Sequence, residues 1–119
     1  MKYFLAVDIG ASSGRHMLTH MEEDRMVLEE VHRFYNGMTE KNGHKIWDVD
    51  TLFEEIKIGM KKCASLGKIP ESMGIDTWAV DFVLLDKNGG RIGDAVAYRD
   101  ARTTGMDEGM PDCRREAYC

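Results

Sequence analysis

The feature that most constrains the fold is the first strand that the sequence predicts, residues 3–9. Its alternating side chains are apolar on both faces until Asp8, a pattern typical of a central strand with a covering layer on each side. A run of small residues, Gly10-Ala11-Ser12-Ser13-Gly14, follows at once and predicts a tight turn. The chain should therefore be built around a central strand that ends in a Gly/Ser turn.

The remaining pattern predicts a mixed α/β fold that begins with an antiparallel meander. Residues 15–21 predict a second strand, whereas residues 26–35 fit a helix or a third strand equally well, because the segment is short and bounded by turn signals. Residues 38–45 predict a polar loop with a turn at Asn42-Gly43. Further short strands are predicted at 73–76, 80–85 and 95–98.

Residues 52–66 predict the one clear helix. Thr51 and Glu54 have the spacing of a capping box at its start, and Gly67 followed by Pro70 is a stop signal. Apolar residues recur with helical spacing and predict the buried stripe. The stripe comprises Leu52, Phe53, Ile56, Met60 and Cys63.

Length limits what the chain can be. Its 119 residues are one domain or part of one, at roughly 100–200 residues per domain. One good helix cannot cover both faces of a five-stranded sheet, and a small domain buries little of its surface. We therefore interpret the chain as a piece of something larger.

Charge and hydropathy exclude several functions. The net charge of −5 argues against non-specific binding of nucleic acid, which needs a basic surface. No apolar run approaches the ~18 residues of a membrane span, and the start becomes acidic too soon for a signal peptide, so we predict a cytoplasmic protein without a membrane partner. The three cysteines, Cys63, Cys113 and Cys119, lack metal-ligand spacing and are interpreted as ordinary thiols.

The first group of residues with chemical potential surrounds the Gly/Ser turn. It is neither a Walker A loop nor a dinucleotide fingerprint, because the Gly-Lys-Ser/Thr ending is missing and a strand, not a helix, follows. Backbone N–H groups of such a turn can bind an anion, Ser12 and Ser13 add hydroxyl donors, and Arg15 adds a charge suited to phosphate. Asp8 could hold Mg²⁺ through water. A plain hairpin with a solvated Asp and Arg is the alternative.

The second group lies in residues 74–82, where one strand ends and another begins within four residues. Asp76, Asp81, Thr77 and the indole of Trp78 offer the carboxylates and the aromatic face that polyol substrates need. A structural Trp with turn-forming Asp residues is the alternative. Residues 98–102 are either the rim of a substrate site or an ordinary charged loop.

Five segments together resemble the N-terminal part of the rhamnulokinases. These enzymes belong to the carbohydrate-kinase family that includes glycerol kinase, xylulokinase and gluconokinase, within the actin-like, ribonuclease-H-like ATPase superfamily. The segments are in family order and cover residues 1 to about 105. They are AVDIGASSGR (6–15), HRFYNG (32–37), NGHKIWDVDTL (42–52), GIDTWAVDFVLLD (74–86) and AYRDARTTG (97–105).

The resemblance implies a ribonuclease-H-like α/β fold, incomplete in this chain, and makes residues 26–35 the third strand of the meander. The implied reaction moves the γ-phosphoryl group of ATP to the 1-hydroxyl of L-rhamnulose, with Mg²⁺ as cofactor. Asp8 would lie near the metal. The implied phosphate-binding residues are Ala11, Ser12, Ser13, Gly14 and Arg15, and the implied sugar-binding residues are Trp78, Ala79 and Asp81.

The sequence departs from the resembled family in two ways. Family members are several times longer, so residues 1–119 would be the N-terminal part of the first domain, without the second, nucleotide-side domain and without the general-base Asp. An isolated chain would then be inactive and would require the missing C-terminal part. Ala79 replaces a Gly that contacts the sugar, which keeps open a kinase of another ketose or polyol. A non-catalytic phosphate-binding module is the alternative from another functional class.

Overall fold

A computed structural model of the protein describes residues 1–109, so Cys113, Cys119 and the rest of the tail lie outside the described residues. Within these residues, five strands precede one long helix and four strands follow it. The strands are β1 (Tyr3–Ile9), β2 (Ser13–Glu22), β3 (Arg25–Tyr35), β4 (Met38–Lys41), β5 (His44–Trp47), β6 (Pro70–Thr77), β7 (Leu84–Leu85), β8 (Arg91–Ile92) and β9 (Ala95–Val96). The helices are α1 (Val49–Ser65), a 3₁₀ turn (Ala101–Thr103) and α2 (Met106–Gly109).

The main sheet has four strands in the order β3-β2-β1-β6. Strands β1, β2 and β3 form the predicted antiparallel meander, and the ambiguous segment 26–35 is strand β3. Strand β6 returns through α1 to pair with β1 in parallel. The predicted central position of β1 is therefore confirmed.

Helix α1 packs on one face of this sheet. Leu5, Val7 and Ile9 of β1 point toward it and are buried together with Leu18, Phe34 and Cys63. On the opposite face, Phe4 is 40% exposed, so within residues 1–109 the expected second covering layer is not present.

The predicted capping box at Thr51 is wrong, because the helix begins at Val49, three residues before the predicted start at Leu52. Asp48 is the N-cap, and its carboxylate accepts hydrogen bonds from the Thr51 backbone N–H (3.0 Å) and from the Thr51 hydroxyl (2.8 Å). Gly67 ends the helix in the left-handed region at φ +70°, which agrees with the predicted stop.

The buried stripe of α1 also differs from the prediction. Phe53 and Met60 are 58% and 45% exposed, whereas Gly59 is buried. The reason is His16, a fully buried β2 side chain whose ring lies where a Cβ on Gly59 would be, only 2.2 Å away. The His16 Nε2–H donates to the Ile56 carbonyl (3.1 Å), so this histidine fixes which side of α1 faces the sheet.

A second, smaller sheet has the order β4-β5-β9 and its own buried cluster of Trp47, Ala95 and Ala97. The predicted polar loop 38–45 is mostly the β4–β5 hairpin, whose Asn42-Gly43 turn has both φ angles positive. Two predicted strands are shorter than expected: 80–85 is strand only at β7, and 95–98 only at β9. No helix in residues 1–109 is long and apolar enough to cross a membrane.

The His16–Gly59 contact yields a stability prediction. Gly→Ala inside a helix ordinarily stabilises by about 0.5–1 kcal/mol. Here Gly59→Ala should instead lower the free energy of unfolding by about 1–3 kcal/mol, because the methyl group overpacks the site. Urea unfolding followed by tryptophan fluorescence measures the effect. The control is Gly74→Ala, whose new Cβ has open space around it; equal effects of the two substitutions would contradict the packing argument.

Candidate functional site

The register of the main sheet places four charged residues in one row. Asp8 of β1 pairs with Arg15 of β2 on one side and with Asp76 of β6 on the other, and Arg15 pairs with Arg33 of β3. Directly opposed residues on neighbouring strands point to the same face. Two segments that the sequence predicted separately, 8–15 and 74–82, are therefore side by side at one edge of the sheet.

Arg15 is held by two groups from the β1–β2 hairpin. Its Nη1 is ion-paired with Asp8 Oδ2, and its Nη2 donates to the Ser13 hydroxyl (2.9 Å). The side chains of Arg15 and Asp8 are 26% and 42% exposed, so the pair is partly open to solvent. Arg33 instead binds Glu30 through two hydrogen bonds, at 2.9 and 2.7 Å, and leaves Arg15 as the cation beside the turn.

The neighbouring carboxyl groups of Asp8 and Asp76 shift each other's pKa in opposite directions. A hydrogen bond from Asp76, reinforced by the Arg15 guanidinium, lowers the pKa of Asp8. The same hydrogen bond raises the pKa of Asp76. Two carboxylates this close repel each other when both are ionised, so a positive charge beside them is stabilised.

The turn between β1 and β2 is closed by its own backbone and supported from β3. The Gly10 N–H donates to the Ser13 carbonyl (2.9 Å). Buried Asn36 donates from its backbone N–H to the Ser12 carbonyl (2.9 Å) and from Nδ2 to the Gly10 carbonyl (2.8 Å). Asn36 is thus a supporting residue that the sequence pattern did not single out.

Gly14 has a packing role that the sequence did not indicate. A Cβ on Gly14 would lie 2.1 Å from the Phe34 ring, so the glycine is required by the core beneath the turn. This packing role does not test the predicted contact of Gly14 with phosphate, which stays a prediction. The phosphate contacts of Ala11, Ser12, Ser13 and Arg15 also stay predictions.

The second half of the site is the turn after β6. Here the indole N–H groups of Trp47 and Trp78 both donate to one carboxylate oxygen, Asp81 Oδ2, at 2.6 and 2.7 Å. The two ring centroids are 4.3 Å apart. Trp78 also packs against both buried clusters and so joins the main sheet to the small one.

The backbone of this turn is strained next to the predicted sugar contact. Val80, a β-branched residue, has φ +75°, a conformation that costs about 1–3 kcal/mol for a non-glycine residue. Ala79 is exposed and does not have a positive φ, so its methyl group fits the backbone without strain. The left-handed Val80 does not fit an extended strand at the predicted start of 80–85, and β7 begins only at Leu84.

A cleft of about 380 Å³ lies beside the turn, between α1, β5 and residues 77–83. Its walls are mostly apolar, and Phe53 faces it, which gives that helical residue a location outside the core. Thr77 and Asp81 are the polar residues in its lining. The cleft adjoins the turn at residues 78–81 without including the charged row at Asp8.

The third segment, residues 98–102, is anchored by Asp100. This buried carboxylate accepts hydrogen bonds from the Lys45 N–H (2.8 Å) and the His44 Nδ1–H (3.0 Å), and from the Arg102 N–H (3.2 Å). These bonds, with that of Lys45 the largest cause, lower the pKa of Asp100 to about 2. Asp100 therefore fixes the loop to β5, a structural role.

Solved structures of sugar kinases share this fold. The gluconate kinase of Lactobacillus acidophilus matches with a TM-score of 0.70 at 13% identity, over 91% of this chain and 22% of that one. The xylulose kinase of Rhodospirillum rubrum matches with a TM-score of 0.69 at 14% identity, over 95% of this chain and 25% of that one. The fold is the ribonuclease-H-like, actin-like ATPase fold of the sugar kinases, as predicted.

The chain belongs to the FGGY family of carbohydrate kinases, whose N-terminal domain matches residues 3–115. A rhamnulokinase of Halalkalibacterium halodurans is 58% identical over 108 residues, which are 91% of this chain and 23% of the relative. A rhamnulokinase of Oceanobacillus iheyensis is 54% identical over 104 residues, which are 87% of this chain and 22% of the relative. The chain thus spans less than a quarter of the length of these curated relatives.

Asp100 yields a prediction about pH. Because its pKa is lowered in the folded state, its stabilising contribution is present above the ordinary value of 3.8 and is lost as the pH falls through about 2. Asp100→Asn should lower the urea midpoint at pH 7, and its difference from the parent should shrink between pH 4 and pH 2.

The matched control is Asp94→Asn, since Asp94 makes an exposed ion pair with Lys41 (3.1 Å). Such pairs contribute little to stability. A pH-independent difference between parent and Asp100→Asn would show that the charge of Asp100 does not anchor the loop.

Proposed function

We propose that the protein is the N-terminal part of an ATP-dependent rhamnulokinase, which transfers the γ-phosphoryl group of ATP to the 1-hydroxyl of L-rhamnulose during L-rhamnose breakdown. The observation that carries the proposal is the identity of 47–58% to relatives named rhamnulokinase over at least 84% of this chain. Solved structures of kinases for other sugars share only 13–14% of the sequence. The general base and the nucleotide-side domain belong to the remainder of the enzyme.

The β1–β2 turn is the proposed site for the ATP phosphates. The backbone N–H groups of residues 11–14 and the hydroxyls of Ser12 and Ser13 would donate to phosphate oxygens. Arg15 would neutralise charge on the transferred group, and its contacts with Asp8 and Ser13 already orient it at the turn. Asn36 would act indirectly, by fixing the turn from below.

The adjacent carboxyl groups of Asp8 and Asp76 fit a hydrated Mg²⁺ ion. This ion prefers carboxylate oxygens, keeps several waters, and is usually bound by one or two carboxylates together with substrate phosphates. Asp8 would hold it, with the Asp76 carboxyl beside Asp8 as a second oxygen ligand. When bound, the ion supplies positive charge that offsets the charge of the phosphates.

The turn after β6 is the proposed sugar site. Trp78 would offer its aromatic face to the sugar, and Ala79 would offer its backbone. Asp81 would accept hydrogen bonds from sugar hydroxyls through Oδ1, since its Oδ2 already accepts both indole N–H groups. Strands β1 and β6 are parallel neighbours, so the two turns leave the sheet at the same edge. In open α/β sheets, this edge is where ligands bind.

A second candidate is a kinase of another ketose or polyol. Ala79 is the observation that favours it, because a methyl group stands where the resembled family has a glycine in contact with the sugar. Its backbone conformation is ordinary, so the methyl group changes only the space available to the sugar.

A chimera separates the proposals. Residues 1–105 of this chain replace the matching segment of the Halalkalibacterium halodurans rhamnulokinase, and phosphorylation is measured with ATP, Mg²⁺ and a panel of sugars. We expect a marked preference for L-rhamnulose, and no sugar-dependent ATP hydrolysis by the 119-residue chain alone. A folded chimera that prefers another ketose would favour the second candidate. A folded chimera without any kinase activity would support a non-catalytic module.

Arg15→Ala tests the phosphate site in the chimera. Loss of the guanidinium should lower kcat/KM for ATP by about 100-fold, because a charge-assisted contact to the transferred phosphoryl group is removed. The KM for L-rhamnulose should change by less than about threefold. Arg33→Ala, which removes an arginine bound to Glu30 in the same row, should leave both unchanged. If Arg15→Ala raised only the sugar KM, the assignment of the turn would be wrong.

A further inference from the structure

We propose that Trp47 is a positioning residue for the sugar-binding turn and acts on it through Asp81. The inference rests on the proposed function of residues 78–81. It concerns a side chain on β5 that lies 34 positions before Asp81 in the sequence and that belongs to the smaller sheet.

The first argument is that the turn has few other attachments. Within residues 1–109, the segment 78–83 makes no backbone–backbone hydrogen bond outside regular strands. Its side-chain hydrogen bonds are the two that Asp81 Oδ2 accepts from Trp47 and Trp78. The Trp78 bond closes the turn on itself, whereas the Trp47 bond connects the turn to the rest of the molecule.

The second argument is that Trp47 is a firm point of attachment. It is only 3% exposed, and it lies on the middle strand of the small sheet, paired with Met38 of β4 and Ala95 of β9. Its ring contacts Trp78 at a centroid distance of 4.3 Å. A rigid indole that donates to a carboxylate gives a short, directional contact, at 2.6 Å.

The third argument is that the turn needs such an attachment. Val80, between Ala79 and Asp81, has φ +75°, and strained backbone persists only where its surroundings fix it. Asp81 follows Val80 directly, so its bond to Trp47 holds the strained residue in place. The position of Ala79 then depends on Trp47, although the two are not hydrogen-bonded to each other.

Kinetics of the chimera test the functional consequence. Trp47→Phe keeps an aromatic ring but removes the N–H donor, so the KM for L-rhamnulose should rise about tenfold while the KM for ATP stays within about twofold. Asp81→Ala should raise the sugar KM further, and the double variant should be no worse than Asp81→Ala alone. Met38→Leu is the control, because Met38 packs on the same cluster without a hydrogen bond to the turn. Independent, multiplicative effects of Trp47→Phe and Asp81→Ala would overturn the proposal.

A spectroscopic test does not depend on the proposed function. The 119-residue chain has two tryptophans, so its ¹H–¹⁵N spectrum should contain two indole N–H signals. If one carboxylate accepts both, Asp81→Ala should shift both signals and speed their hydrogen exchange. A shift of the Trp78 signal alone would overturn the role of Trp47. If Asp81→Ala does not fold, Asp81→Asn keeps the shape and should shift both signals less.

The two tests fail in different ways. Loss of all sugar phosphorylation in the unsubstituted chimera, with both indole signals shifted by Asp81→Ala, would reject the proposed function and keep the contact. Full kinase activity with an unshifted Trp47 signal would keep the function and reject Trp47 as a positioning residue.

Discussion

The rest of the structure depends on the position of β1 between an antiparallel neighbour and a parallel one. The antiparallel register with β2 places Arg15 beside Asp8, and the parallel register with β6 places Asp76 on its other side. A shift of one residue in either pairing would reverse the faces and separate these charges. The same pairings make the turns after β1 and β6 leave the sheet at one edge, which brings the proposed phosphate and sugar sites together.

The two sheets are connected at this edge by a small number of specific contacts. Trp78 packs against both buried clusters, and Asp81 accepts the indole N–H groups of Trp47 and Trp78. These contacts determine the path of a turn that its own backbone does not stabilise. The proposed site therefore combines a β1–β2 turn closed by backbone hydrogen bonds with a turn after β6 that is held by side chains.

Local sequence patterns predicted much of the fold, because strand β1, the meander and the approximate extent of α1 depend on nearby residues. The parts that were wrong depend on contacts between distant residues. Gly59 faces the core because buried His16 fills the space above it, and a stripe drawn from apolar side chains omits a glycine. The predicted strand at Val80 is interrupted by a turn that Trp47 holds through a residue 34 positions away. Asn36 was missed for the same reason, since its support of the Gly/Ser turn spans 26 positions.

The most direct test of the central claim, that one sheet edge holds both substrates, is a crystal structure of the chimera with L-rhamnulose and a non-hydrolysable ATP analogue. We expect the terminal phosphates within hydrogen-bond distance of the backbone N–H groups of residues 11–14. The sugar should lie against Trp78 and Ala79. Phosphates or sugar bound away from these two turns, in crystals of a chimera that is active with ATP in solution, would contradict the account.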